Sequence, residues 1–176
     1  AVDFAVNGTV NTATFEAGDL ELLDLDTMTP ISAANTLAAY ISAQNILRFT
    51  FTGFGDNTLP DGNYRATLGA SVADIHGNTL INEGTTDFFV LSGDANRDRF
   101  VDTQDFNLLA NHFAQTSMAF SQGDFNYDTE VNSLDFNIFV ARYGKRLVAP
   151  AAMNAPLPLF RDGADIGGGG QLDLIQ

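Results

Sequence analysis

The feature that most constrains this chain is an acidic loop that occurs twice. "GDANRDRFVDTQDF" spans Gly93–Phe106 and "GDFNYDTEVNSLDF" spans Gly123–Phe136, one 30-residue period apart from Asp94 to Asp124. Close anions repel, so alternating acids in a short loop oppose folding unless a cation sits among them. Each acidic stretch runs into apolar residues at helical spacing. Phe106, Leu109, Ala110 and Phe113 fall at i, i+3, i+4 and i+7, and Phe136, Phe139, Val140 and Tyr143 repeat the pattern. Each unit is therefore expected to be a loop followed by one amphipathic helix. "AQTSMAFSQ" connects the two, and the helices are expected to bury their stripes against each other.

Counted from its first Asp, the first loop carries side-chain oxygens at positions 1, 3, 5, 9 and 12, as Asp94, Asn96, Asp98, Asp102 and Asp105. The second carries Asp124, Asn126, Asp128, Asn132 and Asp135 at the same positions. These are the ligand positions of an EF-hand-type Ca²⁺ loop, whose seventh residue offers a backbone carbonyl, here Phe100 and Glu130. A hard cation takes about six to eight oxygens, and a loop curling round it turns alternate side chains inward. Two Ca²⁺ ions are expected. Mg²⁺ fits less well because it prefers a small rigid octahedron, and Zn²⁺ less still because neither loop holds His or Cys. With four carboxylates against three, loop one is expected to bind more tightly. Val101 and Val131 at position 8 are expected to pair across the loops. A single D-x-N-x-D also suits an Asx-rich turn capping a helix; repetition with the same donors, the same Val and the same following helix weighs for ion cages.

Charge narrows the partners. Acids outnumber Lys plus Arg by 22 to 8, a formal charge of −14, so nucleic acid and anionic membrane surfaces would be repelled. No apolar run approaches the ~18 residues of a membrane span, so no membrane insertion is expected. The chain has no Cys and two His, which leaves no disulfide, thiolate site or Cys nucleophile. "AVDFAVNG" at the start lacks a signal peptide's basic stretch and apolar core, which reads as a processed start or a fragment. Glu16, Asp19, Glu21, Asp24 and Asp26 alternate with Leu and read as the wet face of a strand in preference to a hydrolytic carboxylate pair. No nucleophile triad or phosphate-cradling loop is present, so no enzyme activity is expected. His76, in the turn "DIHGN", and His112, beside the first apolar stripe, read as structural or surface residues. "NGT" at Asn7–Thr9 matches a glycosylation sequon but equally suits a turn.

Residues 1–92 alternate with period two in short runs, such as Val2/Phe4/Val6, Leu47/Phe49/Phe51 and Tyr64/Ala66/Leu68, separated by turn-forming pieces. Several such strands suggest a sandwich. The apolar phase slips between Leu22 and Leu23, which predicts a bulge or a bent strand. "TPISAANTLAAYISAQN" is divided between strand, loop and helical turn. Residues 148–176 are Pro-, Ala- and Gly-rich and read as an extended tail, with "QLDLIQ" as an alternative edge strand.

"GDANRDRFVDTQDFNLLANHF" and "GDFNYDTEVNSLDFNIFVARYG" resemble the duplicated loop-plus-helix segments of type I dockerins, which carry Asp at position 12, here Asp105 and Asp135. The resemblance covers about 55 residues and implies a cohesin-like partner bound in Ca²⁺-dependent fashion. It points to positions 10 and 11 of each unit as partner contacts, here Thr103 and Gln104, then Ser133 and Leu134. Because the two pairs differ, a symmetric dual binding mode is not expected. The sequence departs from the pattern at position 6, usually Gly, where Arg99 and Thr129 stand. If the backbone there is left-handed, each costs on the order of 1 kcal/mol. "LPDGNYRATLGASVADIHGNTL" followed by "DFFVLSGDANRD" resembles a bacterial Ig-like domain joined to a dockerin-type repeat, as in C-terminal regions of secreted planctomycete proteins. The expected architecture is an all-β Ig-like sandwich (1–92), then a small α-helical dockerin-like domain with two EF-hand-type loops (93–147), then the tail (148–176). The expected role is a non-catalytic attachment module at the cell surface or outside the cell. A Ca²⁺-stiffened, self-associating subunit of a surface layer or filament is the rival.

Overall fold

The computed structural model describes residues 1–54, 58–79 and 84–150. The N-terminal part is built of β-sheets. Strands β1 (Val2–Ala5), β4 (Thr36–Ile41) and β5 (Ile46–Phe51) form an antiparallel sheet ordered β1-β5-β4. Strands β2 (Leu20–Asp24), β3 (Thr29–Ile31), β6 (Gly62–Leu68) and β7 (Gly84–Val90) form a second, ordered β3-β2-β6-β7. Period-two patterning explains which side faces inward. Leu47, Phe49 and Phe51 on β5, and Tyr64, Ala66 and Leu68 on β6, are buried in one core shared by both sheets. Phe49 is packed edge-on by Phe4 and Phe15.

Two local expectations change. Strand β2 pairs with β6 in unbroken register from Leu20↔Leu68 to Asp24↔Tyr64, so there is no bulge at Leu22–Leu23. The slip in phase comes at the end of the strand, where Leu23 is only half-buried. The alternating acids are not simply a wet face either. Asp19 is buried, accepting from the Glu16 amide at 2.8 Å and the Ser71 hydroxyl at 2.6 Å. Asp24 accepts from the amides of Asp26 and Thr27, and Asp26 accepts from the amide and side chain of Asn63. The ambiguous stretch resolves into β3, a short 3-10 turn at Ala33–Asn35 and β4.

Two helices follow, α1 (Thr103–His112) and α2 (Ser133–Arg142). They belong to a second core of Leu91, Ala95, Val101, Leu109, Phe125, Val131 and Phe139. Only Leu109 and Phe139 of the two predicted stripes are fully buried. Phe106 and Phe136 meet at 6.5 Å but stay 39 % exposed, and Phe113, Val140 and Tyr143 are exposed too. The core is completed by loop residues in place of the full stripes.

Val101 and Val131 lie in the same core, but their backbone bonds go elsewhere. The Val101 amide donates to the Lys145 carbonyl at 3.0 Å, and the Gly144 amide donates to the Val101 carbonyl at 2.8 Å. In the same way Val131 exchanges bonds with Ala114 and Gln115. Each loop is thus stitched to the chain leaving the other helix, because the helices lie with the start of one beside the end of its partner. Gly123 enters the second loop at φ +104°, and a Cβ there would lie 2.7 Å from the Leu109 Cα. Only glycine lets the loop approach α1 so closely.

Among the described residues no helix is long and apolar enough to cross a membrane. "QLDLIQ" and the tail from residue 151 lie outside the described residues.

Candidate metal centre

The first aspartate and the last of each loop are folded inward by backbone amides. Asp94 accepts from the amides of Asp98 (3.1 Å) and Arg99 (2.9 Å), one on each carboxylate oxygen. Asp124 repeats this with Asp128 (3.2 Å) and Thr129 (3.1 Å). Asp105 accepts from Asn96 (3.1 Å) and Asp102 (2.9 Å). Asp135 accepts from Phe125 (2.8 Å), Asn126 (3.3 Å) and Asn132 (2.9 Å).

These same bonds start the helices. Asp102 and Asn132 are the N-caps, accepting from the amides of Gln104 and Leu134 at 2.7 Å, while Asp105 and Asp135 close the reciprocal half of each capping box. A carboxylate in the first turn also complements the positive helix end. One residue therefore ends the loop and begins the helix.

Inside each loop Asp98 and Asp128 sit between positions 3 and 7. Asp98 accepts from the Phe100 amide and the Asn96 side-chain amide, and Asp128 accepts from the Glu130 amide and the Asn126 side-chain amide. Arg99 and Thr129 have φ of 72° and 71°, so position 6 is left-handed in both loops. Position 4 is left-handed as well, at Arg97 and Tyr127, each with φ 60°. That second strained position was not legible in advance, because neither residue type favours it.

Burial and charge make the arrangement costly without a counter-ion. Asp94, Asp105, Asp124 and Asp135 expose 1, 0, 2 and 0 % of their surface. None is among the acids that pair with Lys or Arg among the described residues. Burial first, then repulsion from Asp105 and Asp98, pushes the Asp94 carboxyl above the usual carboxylate range against the pull of the Arg99 amide. Asp124 is raised in the same way by burial and by Asp135 and Asp128, against the pull of the Thr129 amide. Among the described residues, no three acidic or imidazole side chains converge as a group that could hold a metal ion. The carboxylates instead turn toward loop amides. The acids and side-chain amides gathered in each loop offer oxygen donors, which would suit a hard cation such as Ca²⁺.

The positions expected to meet a partner are all exposed, Thr103 and Gln104 on the first turn of α1 and Ser133 and Leu134 on the first turn of α2. His112 is half-buried with its Nδ1 2.7 Å from the Leu108 carbonyl, and His76 is exposed in a turn capped by Asp74. No motif signals the polar seam that ties the helical part to the β-sheet part. Asp61 accepts from Lys145 Nζ at 2.8 Å, from the Ser92 amide at 2.7 Å and from Arg142 Nε at 3.1 Å. Burial opposes its ionisation, but these donors together hold its carboxyl below the usual range.

Comparison with known proteins bears on the helical part of the chain. Residues 92–143 match the family model described as "Dockerin type I domain". A solved structure titled "Type II cohesin-dockerin domain from Bacteroides cellolosolvens" is 32% identical, covering 34% of this chain and 93% of that chain with a TM-score of 0.30. No curated protein matches the chain. The two loop-and-helix units within residues 92–143 form a type I dockerin-like domain.

Proposed function

We propose that the helical part is a Ca²⁺-loaded attachment module carried by a β-domain, and that it acts without catalysis outside the cell or at its surface. The observation that carries this reading is the twofold burial of paired carboxylates, Asp94 with Asp105 and Asp124 with Asp135, with no cationic side chain paired to them among the described residues. Such pairs oppose folding until a cation neutralises them. One ion in each loop would be held by Asp94, Asn96, Asp98, Phe100 (backbone carbonyl), Asp102 and Asp105, and by Asp124, Asn126, Asp128, Glu130 (backbone carbonyl), Asn132 and Asp135. The bound Ca²⁺ supplies positive charge and no chemistry of its own. The chain supplies the rest: amides that orient the carboxylates, and capping boxes that transmit loop order to α1 and α2.

Two separate hydrophobic cores support the division into an Ig-like sandwich (1–92), a dockerin-like helix pair with EF-hand-type loops (93–147) and a tail (148–176). The type I dockerin match supports a cohesin-like partner, met by the exposed Thr103, Gln104, Ser133 and Leu134.

Calorimetric titration of the chelator-stripped chain with CaCl₂, followed by melting in Ca²⁺ and in chelator, tests the reading. Two bound ions and a higher melting temperature in Ca²⁺ are expected; at a hundredfold excess over Kd the gain per site is about 2.7 kcal/mol. A melting temperature indifferent to chelator overturns it. Cohesin capture lost on replacing Thr103, Gln104, Ser133 and Leu134 supports the attachment role, whereas Ca²⁺-dependent self-association with those four intact favours the surface-layer rival.

A further inference from the structure

Position 6 is where the two loops part company. Both Arg99 and Thr129 are left-handed, and both give their amide to the first aspartate of their loop. Arg99 does something more. Its Nη1 donates to Asn63 Oδ1 at 2.7 Å, and its guanidinium lies 4.1 Å from the centre of the Phe89 ring. Asn63, on β6, is buried and fixed by three further bonds, two to Asp26 and one to the Val148 carbonyl. Phe89 is on β7. One residue therefore has its backbone on the Asp94 carboxylate and its side chain locked into the second sheet.

We propose that Arg99 is a positioning residue that couples ion binding in loop one to the β-domain: its seat on Asn63 and Phe89 holds the loop closed and raises the Ca²⁺ affinity of loop one, whereas Thr129, at the same position of loop two, makes no such side-chain bond among the described residues. The inference rests on the calcium reading above. A contact present only in the closed loop favours whatever ligand needs that closure, and the ion must favour the contact by the same factor. The seat also explains how loop one tolerates a long side chain at a left-handed position, since the strain is offset by bonds outside the loop.

Arg99→Thr is the discriminating variant, because Thr129 shows that the loop accepts threonine at this φ. Electrostatics and coupling predict opposite signs. Removing a positive charge beside a cation site should tighten loop one, whereas removing the seat should loosen it. Followed by NMR through the amides of Phe100 and Glu130 during a CaCl₂ titration of the full chain, Arg99→Thr is expected to weaken loop one by roughly fivefold or more and leave loop two unchanged. Asn63→Ala should weaken loop one similarly, and the double variant should add little, as two changes on one contact do. If Asn63→Ala unfolds the β-domain, Phe89→Leu, which keeps volume and removes the aromatic face, takes its place with the same expectation. Unchanged or tighter binding at loop one in Arg99→Thr overturns the inference and leaves the calcium reading standing. Failure of both loops in the parent chain to bind Ca²⁺ overturns both.

Discussion

The two loop-and-helix units are nearly copies inside and differ on the outside. Within each, the first aspartate takes two loop amides, the last aspartate closes a capping box, and the position-8 valine is fully buried. Outside, unit one grips the sheets by its loop, through Arg99, while unit two grips them by its helix end, where Arg142 and the following Lys145 meet Asp61. Helix α1 ends instead on its own His112, whose ring lies against the Leu108 carbonyl. A duplicated sequence thus builds a near-symmetric interior, and a handful of unlike residues turn that symmetry into one fixed seat on the β-domain. What is repeated makes the site; what is not repeated makes the attachment.

The comparison can be broken at its centre. Asp105→Ala and Asp135→Ala each strip a buried acceptor from two or three loop amides and from a helix start. In saturating Ca²⁺ each should cost on the order of 3 kcal/mol in denaturant unfolding and abolish ion binding in its own loop. Equal losses would confirm that the interiors are equivalent. The entry glycines should be less even. Gly123→Ala forces a Cβ against the α1 backbone, whereas Gly93→Ala meets the Val101 side chain at 3.2 Å. A loss of roughly 2 kcal/mol or more is expected for Gly123→Ala against about 1 kcal/mol for Gly93→Ala, read from chemical melts; the reverse order would mean that the second loop, not the first, has slack.

Asp61→Ala tests the outward grip of unit two. Arg142 and Lys145 are partly exposed, so solvent replaces much of what they lose, and a cost of about 1 kcal/mol is expected with Ca²⁺ affinity unchanged. The smallest effect concerns acid. Asp94 and Asp124 are raised in the ion-free protein, so their destabilising charge is fully present above the raised values and fades as pH falls through them. Asp3, Asp61 and Asp87 are lowered, so their stabilisation is present above the ordinary carboxylate range and lost as pH falls through their depressed values. In chelator, melting curves should therefore show that first acidification relieves the loops before further acid harms the sheets. A monotonic fall from neutral pH would contradict the raised carboxyls.

Much of the site could be read in advance because its residues are close in sequence. The alternation of Asp and Asn, the Val at position 8 and the Asp at position 12 act over a dozen residues, and the loop amides they capture are equally near. Strands β1, β5 and β6 were legible for the same reason: Val2, Leu47, Phe49 and Tyr64 declare a period of two without outside help. Legibility fails where a residue's partner is distant. Nothing near Asp19 announced Ser71, and nothing near Asp61 announced Lys145. Phe106, Phe136 and Tyr143 had the spacing of buried positions, yet exposure depends on how two helices cross, which spacing does not encode.

The sequence by itself determined the local chemistry: two oxygen-rich loops, each opening a helix, behind a region of period-two strands. Only the tertiary structure decided which of those local units touch. It stitched each loop to the end of the opposite helix in place of its twin, and gave Arg99 a seat on Asn63 and Phe89 that Thr129 lacks. The physical reason is range. Caps, loop bonds and side-chain periodicity are settled within a few residues of backbone, whereas the choice of partner across the fold is settled by burying two cores against a shared seam of charge.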